Sequence, residues 1–127
     1  MSQHPWFSSA LSWHTTLDGA IAEAVSSGRR LMLVVGRATC GGTRALVERT
    51  LAKEELEEFT REKFVLVAAD ADGLEPRARE IVDALPVKAP TPVIAYLSVD
   101  GRVLAATAGG RPPAVLLNDM LGATTKK

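Results

Sequence analysis

The stretch Leu31-Met32-Leu33-Val34-Val35, followed by Arg37-Ala38-Thr39-Cys40-Gly41-Gly42-Thr43-Arg44, decides how this chain folds. An unbroken short apolar run reads as a central strand covered on both faces, because side chains on both sides of the strand must be buried. The run then breaks, the chain turns, and a helix is predicted to begin near Cys40. Backbone N–H groups at a helix N-terminus, and cations such as Arg37 and Arg44, favour a thiolate over a thiol. Cys40 is the only cysteine among the 127 residues. A Cys-x-x-Cys pair at this junction would be a redox couple, but Thr43 occupies its fourth position.

On the N-terminal side, residues 1–12 lack periodicity and read as a loosely docked arm, anchored by Trp6, Phe7 and Leu11, with Trp13 just beyond. A helix is predicted over 16–27, with Leu17, Ala20, Ile21, Ala24 and Val25 at helical spacing, Thr15 and Asp18 as a capping pair and Gly28 as its stop. On the C-terminal side, the helix from Cys40 carries Leu46, Val47, Thr50 and Leu51 on one face. A further helical piece over 54–61 turns Leu56 and Phe59 inward. A strand over 64–69, a turn at Asp70-Ala71-Asp72-Gly73 and a helix opened by Pro76 follow, the helix burying Ala78, Ile81, Val82 and Leu85. Pro86, Pro90 and Pro92 exclude regular structure before Val93. Strands over 93–99 and 102–107 are joined by Asp100-Gly101, a hairpin signal. Pro112-Pro113 open a last helix that carries Val115, Leu116 and Met120 or Leu121 and stops at Gly122, leaving 123–127 as a flexible tail. Alternation in the first half implies parallel strands joined by crossovers, and the terminal hairpin adds antiparallel ones. The expected architecture is one α/β domain over 13–122, a mixed central sheet of about four strands with helices on both faces.

Composition narrows the function. Fifteen basic and fifteen acidic residues balance, so no electrostatic argument favours nucleic acid or an anionic membrane. No apolar stretch approaches the ~20 residues of a spanning helix. A lone cysteine and an N-terminus without a secretory pattern fit a reducing compartment, so a cytoplasmic location is expected. His4 and His14 have no ligand spacing around them, and Asp70-x-Asp72-Gly73 lacks the later ligands of a calcium loop, so no metal is expected. No phosphate loop, catalytic triad or paired carboxylates stand out. A monomer or weak dimer is the expected state.

The order of elements, with a cysteine at the strand-to-helix junction and Thr91-Pro92 before the next-to-last strand, resembles the thioredoxin fold. The closer similarity is to the branch that includes the C-terminal domain of bacterial DsbD and the anterior gradient proteins. It is carried by Trp13, the Ala-rich helix with Ala20-Ile21-Ala22-Glu23-Ala24, Gly28-Arg29-Arg30-Leu31, Glu48-Arg49-Thr50-Leu51, Phe64-Val65-Leu66-Val67, Thr91-Pro92-Val93-Ile94-Ala95-Tyr96-Leu97 and Asp100-Gly101-Arg102-Val103. The resemblance implies that Cys40 is the nucleophile and that Pro92 is a cis-proline whose neighbour Thr91 leaves backbone free for a bound extended peptide. Thr43 stands at the resolving cysteine, Thr39 where the family has Trp, and Val34 where thioredoxin has a buried Asp.

A single thiolate can attack a disulfide but needs an external thiol for release. Thr43 can donate a hydrogen bond to the Cys40 thiolate; Arg37, Arg44 and Lys88 would favour both the thiolate and an anionic thiol; Gly41 and Gly42 remove bulk where a partner approaches. The leading expectation is therefore a monothiol protein forming mixed disulfides through Cys40 with glutathione, as co-substrate, or with a partner protein. It would use Cys40, Thr43 and Pro92 in the chemistry and Thr39, Gly41, Gly42, Thr91 and Arg37 in binding. No bound cofactor is implied. The alternative is a redox-inactive module of the same fold that holds a protein partner non-covalently; a third reading is a redox sensor oxidised at Cys40. Each residue also has a plainer reading: an inert small hydrophobe for Cys40, solvated charges for the arginines, turn formers for the glycines and loop shapers for Pro90 and Pro92.

Overall fold

In a computed structural model that describes residues 4–126, the apolar run becomes the middle of a sheet. Residues 1–3 of the expected arm and residue 127 of the expected tail lie outside that description. In chain order the elements are a 3-10 turn (Pro5–Ser8), β1 (Trp13–His14), α1 (Leu17–Ser27), β2 (Arg30–Gly36), α2 (Gly41–Ala45) running into a π-helical turn (Leu46–Thr50), α3 (Glu54–Lys63), β3 (Phe64–Asp70), α4 (Pro76–Asp83), β4 (Val93–Leu97), β5 (Val103–Ala108) and α5 (Pro113–Thr125). The sheet has five strands in the order β1-β3-β2-β4-β5. Strand β2 pairs parallel with β3, Leu33 opposite Val67, and antiparallel with β4, Leu33 opposite Ala95. Strand β5 extends the antiparallel side.

Period-two alternation splits β2 between two cores. Leu31, Leu33 and Val35 pack on one face with Leu17, Ala20 and Ala24 of α1 and Ala78 of α4. Met32 and Val34 pack on the other with Leu46, Leu51, Leu56 and with Leu116 and Met120 of α5. Leu31, Met32, Leu33 and Val34 retain no exposed surface, and full burial of each such side chain contributes about 1.5–3 kcal/mol. This is the physical content of the unbroken apolar run, and the mixed sheet with helices on both faces is the architecture expected from the order of elements.

Several local expectations are corrected. The sheet has a fifth strand because Trp13–His14 pairs parallel with Leu66 and Val67 at the edge of β3; two residues are too few to show periodicity. The cap of α1 is Thr16, whose hydroxyl accepts from Gly19 N–H at 3.3 Å, not Thr15. Gly28 closes that helix at φ +73°, in the left-handed region that glycine enters without steric penalty. Two of the anchors expected for the N-terminal arm are in place: Trp6 and Leu11 are each 6% exposed, the His4 ring stacks on Trp6 at 4.1 Å, and His4 Nε2 lies 3.2 Å from the Asp70 carboxylate. Phe7, expected as an anchor, is exposed instead, as is Val115. Helix α5 continues through Gly122 to Thr125, so residues 123–125 are not a free tail. Ala123 is buried, and the Arg30 guanidinium donates to its carbonyl.

Two stability predictions follow from this packing. Trp6→Ala removes a buried indole lying against Val47 and Ala68, and it should destabilise the fold by about 3 kcal/mol. Urea unfolding followed by circular dichroism measures this, and an unchanged midpoint would mean that the N-terminal residues do not dock. The Tyr96 ring packs on Phe64 at 5.6 Å, but its buried hydroxyl has no hydrogen-bond partner among the described residues. Tyr96→Phe should therefore leave stability equal or raise it by up to about 1 kcal/mol, since no bond is lost and a desolvated hydroxyl is removed. A clear drop in the same melt would reveal a partner for that hydroxyl.

Candidate functional site

The register of the sheet assembles the site. Val35 near the end of β2 lies opposite Val93 at the start of antiparallel β4. The residues that follow β2 therefore meet the residues that precede β4. These are the loop to Cys40 on one side and Thr91-Pro92 on the other, where the Ala89–Pro90 and Thr91–Pro92 peptide bonds are both cis.

The loop is braced by its own hydrogen bonds. Cys40 N–H donates to the Arg37 carbonyl at 3.1 Å, and Arg44 N–H donates to the Cys40 carbonyl at 3.1 Å, opening α2 with Cys40 as its cap. Arg44 Nε donates to the Ala38 carbonyl at 2.8 Å, while its terminal nitrogen pairs with Glu48 at 2.7 Å. The helix widens into a π-turn closed by the Leu51 N–H donating to the Leu46 carbonyl at 2.8 Å. That turn buries Leu46, Val47 and Leu51 and leaves Glu48 and Arg49 exposed.

Cys40 is half-buried, and its sulfur faces Thr91. The Thr91 hydroxyl donates to Sγ at 3.1 Å, and the thiol in turn lies 3.5 Å from the Thr91 carbonyl. Thr43 is fully buried, and its Oγ1 accepts from Arg37 N–H at 3.3 Å. Hydrogen bonds from the Thr43 hydroxyl and then the Thr91 hydroxyl bring the Cys40 pKa down to about 7, assisted by the backbone N–H groups of Thr43 and Gly42 and opposed by partial burial. A substantial fraction of the thiol is therefore ionised at neutral pH.

The other predicted site residues are placed unequally. A Cβ on Gly42 would lie 3.1 Å from the Pro92 ring and 3.4 Å from the Thr91 carbonyl, so a bare Gly42 backs directly onto the proline segment. Gly41 is exposed, with open space beside it. Thr39 is exposed and Pro92 buried. Arg37 does not aim at the sulfur: its guanidinium pairs with Asp72 at 2.9 Å. The expectation that Arg37 and Arg44 make the thiol acidic is thus corrected. Neutral hydroxyls and backbone N–H groups lower its pKa, because the guanidiniums are engaged by Asp72, Glu48 and the Ala38 carbonyl. Val34 is fully buried in the hydrophobic cluster with Leu46 and Leu116 and, being valine, brings no carboxylate under the site. Lys88 is exposed in the proline loop. Sequence reasoning missed the Thr91 hydroxyl, valued there only for its backbone, and it passed over Gly36, which has no side chain to signal a role.

Among the described residues no group of three or more His, Cys, Asp or Glu side chains is placed to hold a metal ion. No helix among those residues is long and apolar enough to cross a membrane.

Residues 12–98 match a family model described as thioredoxin-like. Solved structures with the same fold include a thioredoxin from Thermus thermophilus, at 20% identity with a TM-score of 0.74, covering 91% of this chain and 88% of that one. A protein from Bacteroides thetaiotaomicron described as a putative disulphide-isomerase has 18% identity and a TM-score of 0.73, covering 94% of this chain and 96% of its own. The C-terminal domain of DsbD from Neisseria meningitidis, in its oxidised form, has 14% identity and a TM-score of 0.65, covering 88% and 99%. No protein of curated function matches the sequence.

The site geometry sets a pH profile. The rate of alkylation of native Cys40 by iodoacetamide should rise through a midpoint at about pH 7. Thr43→Val and Thr91→Val each remove a donor to the thiolate, so each should move the midpoint upward and slow labelling at pH 7 on the order of threefold. Unmoved midpoints in both variants would show that the hydroxyls do not set the acidity.

Proposed function

We propose, from the premise that this chain belongs to the thioredoxin-like family, that it is a monothiol thiol–disulfide exchange protein whose reacting atom is the Cys40 sulfur. The observation that carries this reading is the seat of that sulfur: half-buried, 3.1 Å from the Thr91 hydroxyl, beside the cis-proline segment, with a pKa lowered to about 7. An inert packing cysteine has no use for hydroxyl donors and would have its pKa raised by burial.

In the forward step the Cys40 thiolate attacks one sulfur of a disulfide. The bond between Cys40 Sγ and that sulfur forms, the original S–S bond breaks, and the second sulfur leaves with the electron pair and takes a proton from solvent. The thiolates of Thr43 and Thr91 variants would be less stabilised, but in the native chain those same hydroxyls also moderate the nucleophile, since nucleophilicity falls as pKa falls. With Thr43 in place of a second thiol, the mixed disulfide has no internal route to release. An external thiol of the glutathione class closes the cycle: its thiolate attacks the mixed disulfide, and the Cys40 thiolate leaves. Electrons balance within the thiols and disulfides, with no bound cofactor. Thr39, Gly41 and Gly42 leave the approach to the sulfur unencumbered, and the Thr91-Pro92 segment is the surface on which a bound chain or the glutathione backbone would lie.

A second reading, a module that holds a protein partner non-covalently on the same surface, is favoured by Thr43, which ends the internal redox cycle. The two separate on one substitution. Incubation with oxidised glutathione should add one glutathione to the native protein at Cys40, seen by intact mass, and none to Cys40→Ser. Insulin reduction driven by dithiothreitol should stay near background. An unmodified native protein, together with partner binding retained by Cys40→Ser, would transfer the assignment to the binding module.

A further inference from the structure

We infer that Gly36 is a positioning residue for this site: the side chain it lacks is the space that lets Thr43 seat its hydroxyl beside Cys40. The inference deepens the reading of Cys40 as the reacting group and rests on it.

Gly36 is the last residue of β2, is buried, and pairs with Asp70 of β3. Its carbonyl accepts from Ala71 N–H at 2.9 Å. The glycines with positive φ are Gly28, Gly101 and Gly109, so the backbone at Gly36 is one that any residue can adopt. The reason for a glycine there is steric. A Cβ built on Gly36 would lie 2.5 Å from Thr43 Cγ2, 2.8 Å from Thr43 Oγ1 and 3.2 Å from Thr43 Cβ. The first two separations are below any normal contact.

The clash has few outlets. Thr43 is fully buried, so its side chain cannot swing into solvent. Cγ2 and Oγ1 share one β-carbon, so a rotation that clears the methyl also carries the hydroxyl away, and a β-branched side chain in a helix has few rotamers to choose from. Strand β2 is held by hydrogen-bonded strands on both sides, so the short helix α2 is the element free to yield. Either response takes Thr43 Oγ1 from its present place, where it accepts from Arg37 N–H at 3.3 Å. Gly36 therefore acts on the sulfur through Thr43 and touches no substrate itself.

The test is the pH profile of Cys40 alkylation in the full chain. Gly36→Ala should move the midpoint upward and slow labelling at pH 7 on the order of threefold, as much as Thr43→Val does and no more, because the Thr91 hydroxyl still donates to the sulfur. In a Thr43→Ala background, where both clashing atoms are gone, the same Gly36→Ala change should add no further shift. Gly36→Ala combined with Thr43→Ser removes the closer contact, Cγ2, but keeps Oγ1, which would lie 2.8 Å from the added Cβ, so it should bring the midpoint only part of the way back toward the native one. An unmoved midpoint in Gly36→Ala, or an equal shift with and without the Thr43 side chain, overturns the inference. If Gly36→Ala alone does not fold, recovery of folded protein by adding Thr43→Ala, which removes both clashing atoms, supports it, and failure to recover overturns it. The readout is the resting thiol, so the two proposals fail separately. A native thiol that titrates low but is never glutathionylated defeats the functional proposal alone, whereas a glutathionylated native protein with an unmoved Gly36→Ala profile defeats only this one.

Discussion

The pairing of β2 with strands on both sides is the constraint on which the rest of the molecule depends. It runs parallel to β3 and antiparallel to β4. Parallel pairing with β3 requires a crossover, and that crossover is the segment carrying Cys40, α2, the π-turn and α3. Antiparallel pairing with β4 brings the beginning of one strand to the end of the other. Val35 opposite Val93 is enough to set Thr91-Pro92 against the Cys40 loop. Slipping this register by one residue would exchange the two cores of β2 and withdraw the Thr91 hydroxyl from the sulfur at the same time. Stability and site geometry are therefore the same constraint.

The chemistry at that junction is carried by neutral groups. Thr43 and Thr91 reach the sulfur from opposite elements, one from the crossover helix and one from the segment before β4, and together with two backbone N–H groups they favour the thiolate. The cations nearest in sequence do structural work: Arg37 ties the loop to the turn after β3 through Asp72, and Arg44 braces the loop through the Ala38 carbonyl. Hydrogen bonds at this range are short and directional, and they are less exposed to salt screening than the surface charges would be. Thr43 thus has two roles that its place in the sequence combines. It stands where a Cys-x-x-Cys pair would place its second thiol, and it supplies a hydroxyl to the one thiol the chain has.

Much of the fold was legible because its signals are local. The apolar run at 31–35, the Pro76 helix start, the Gly28 stop and the turn at Gly101 each depend on a few neighbouring residues, and each element forms where it was read. The misreadings share a different cause. Trp13–His14 is a strand only because β3 has a free edge for it. Helix α5 runs through Gly122 because Ala123 is buried and its carbonyl receives Arg30. Trp6 is buried while its neighbour Phe7 is not, a choice made by the surface formed by Val47 and Ala68.

The candidate site divides in the same way. The sequence by itself determined that one sulfur stands at a strand-to-helix junction, that no second thiol follows it, and that a proline segment precedes the next-to-last strand. Those are statements about the order of residues along one chain. Only the tertiary structure decided which groups touch the sulfur. It turned Arg37 to Asp72, brought the Thr91 hydroxyl across from a distant segment, and set Thr43 against the bare backbone of Gly36. Contacts between residues far apart in sequence depend on strand register and on the space left between packed elements, and neither quantity is written in any local stretch of the chain.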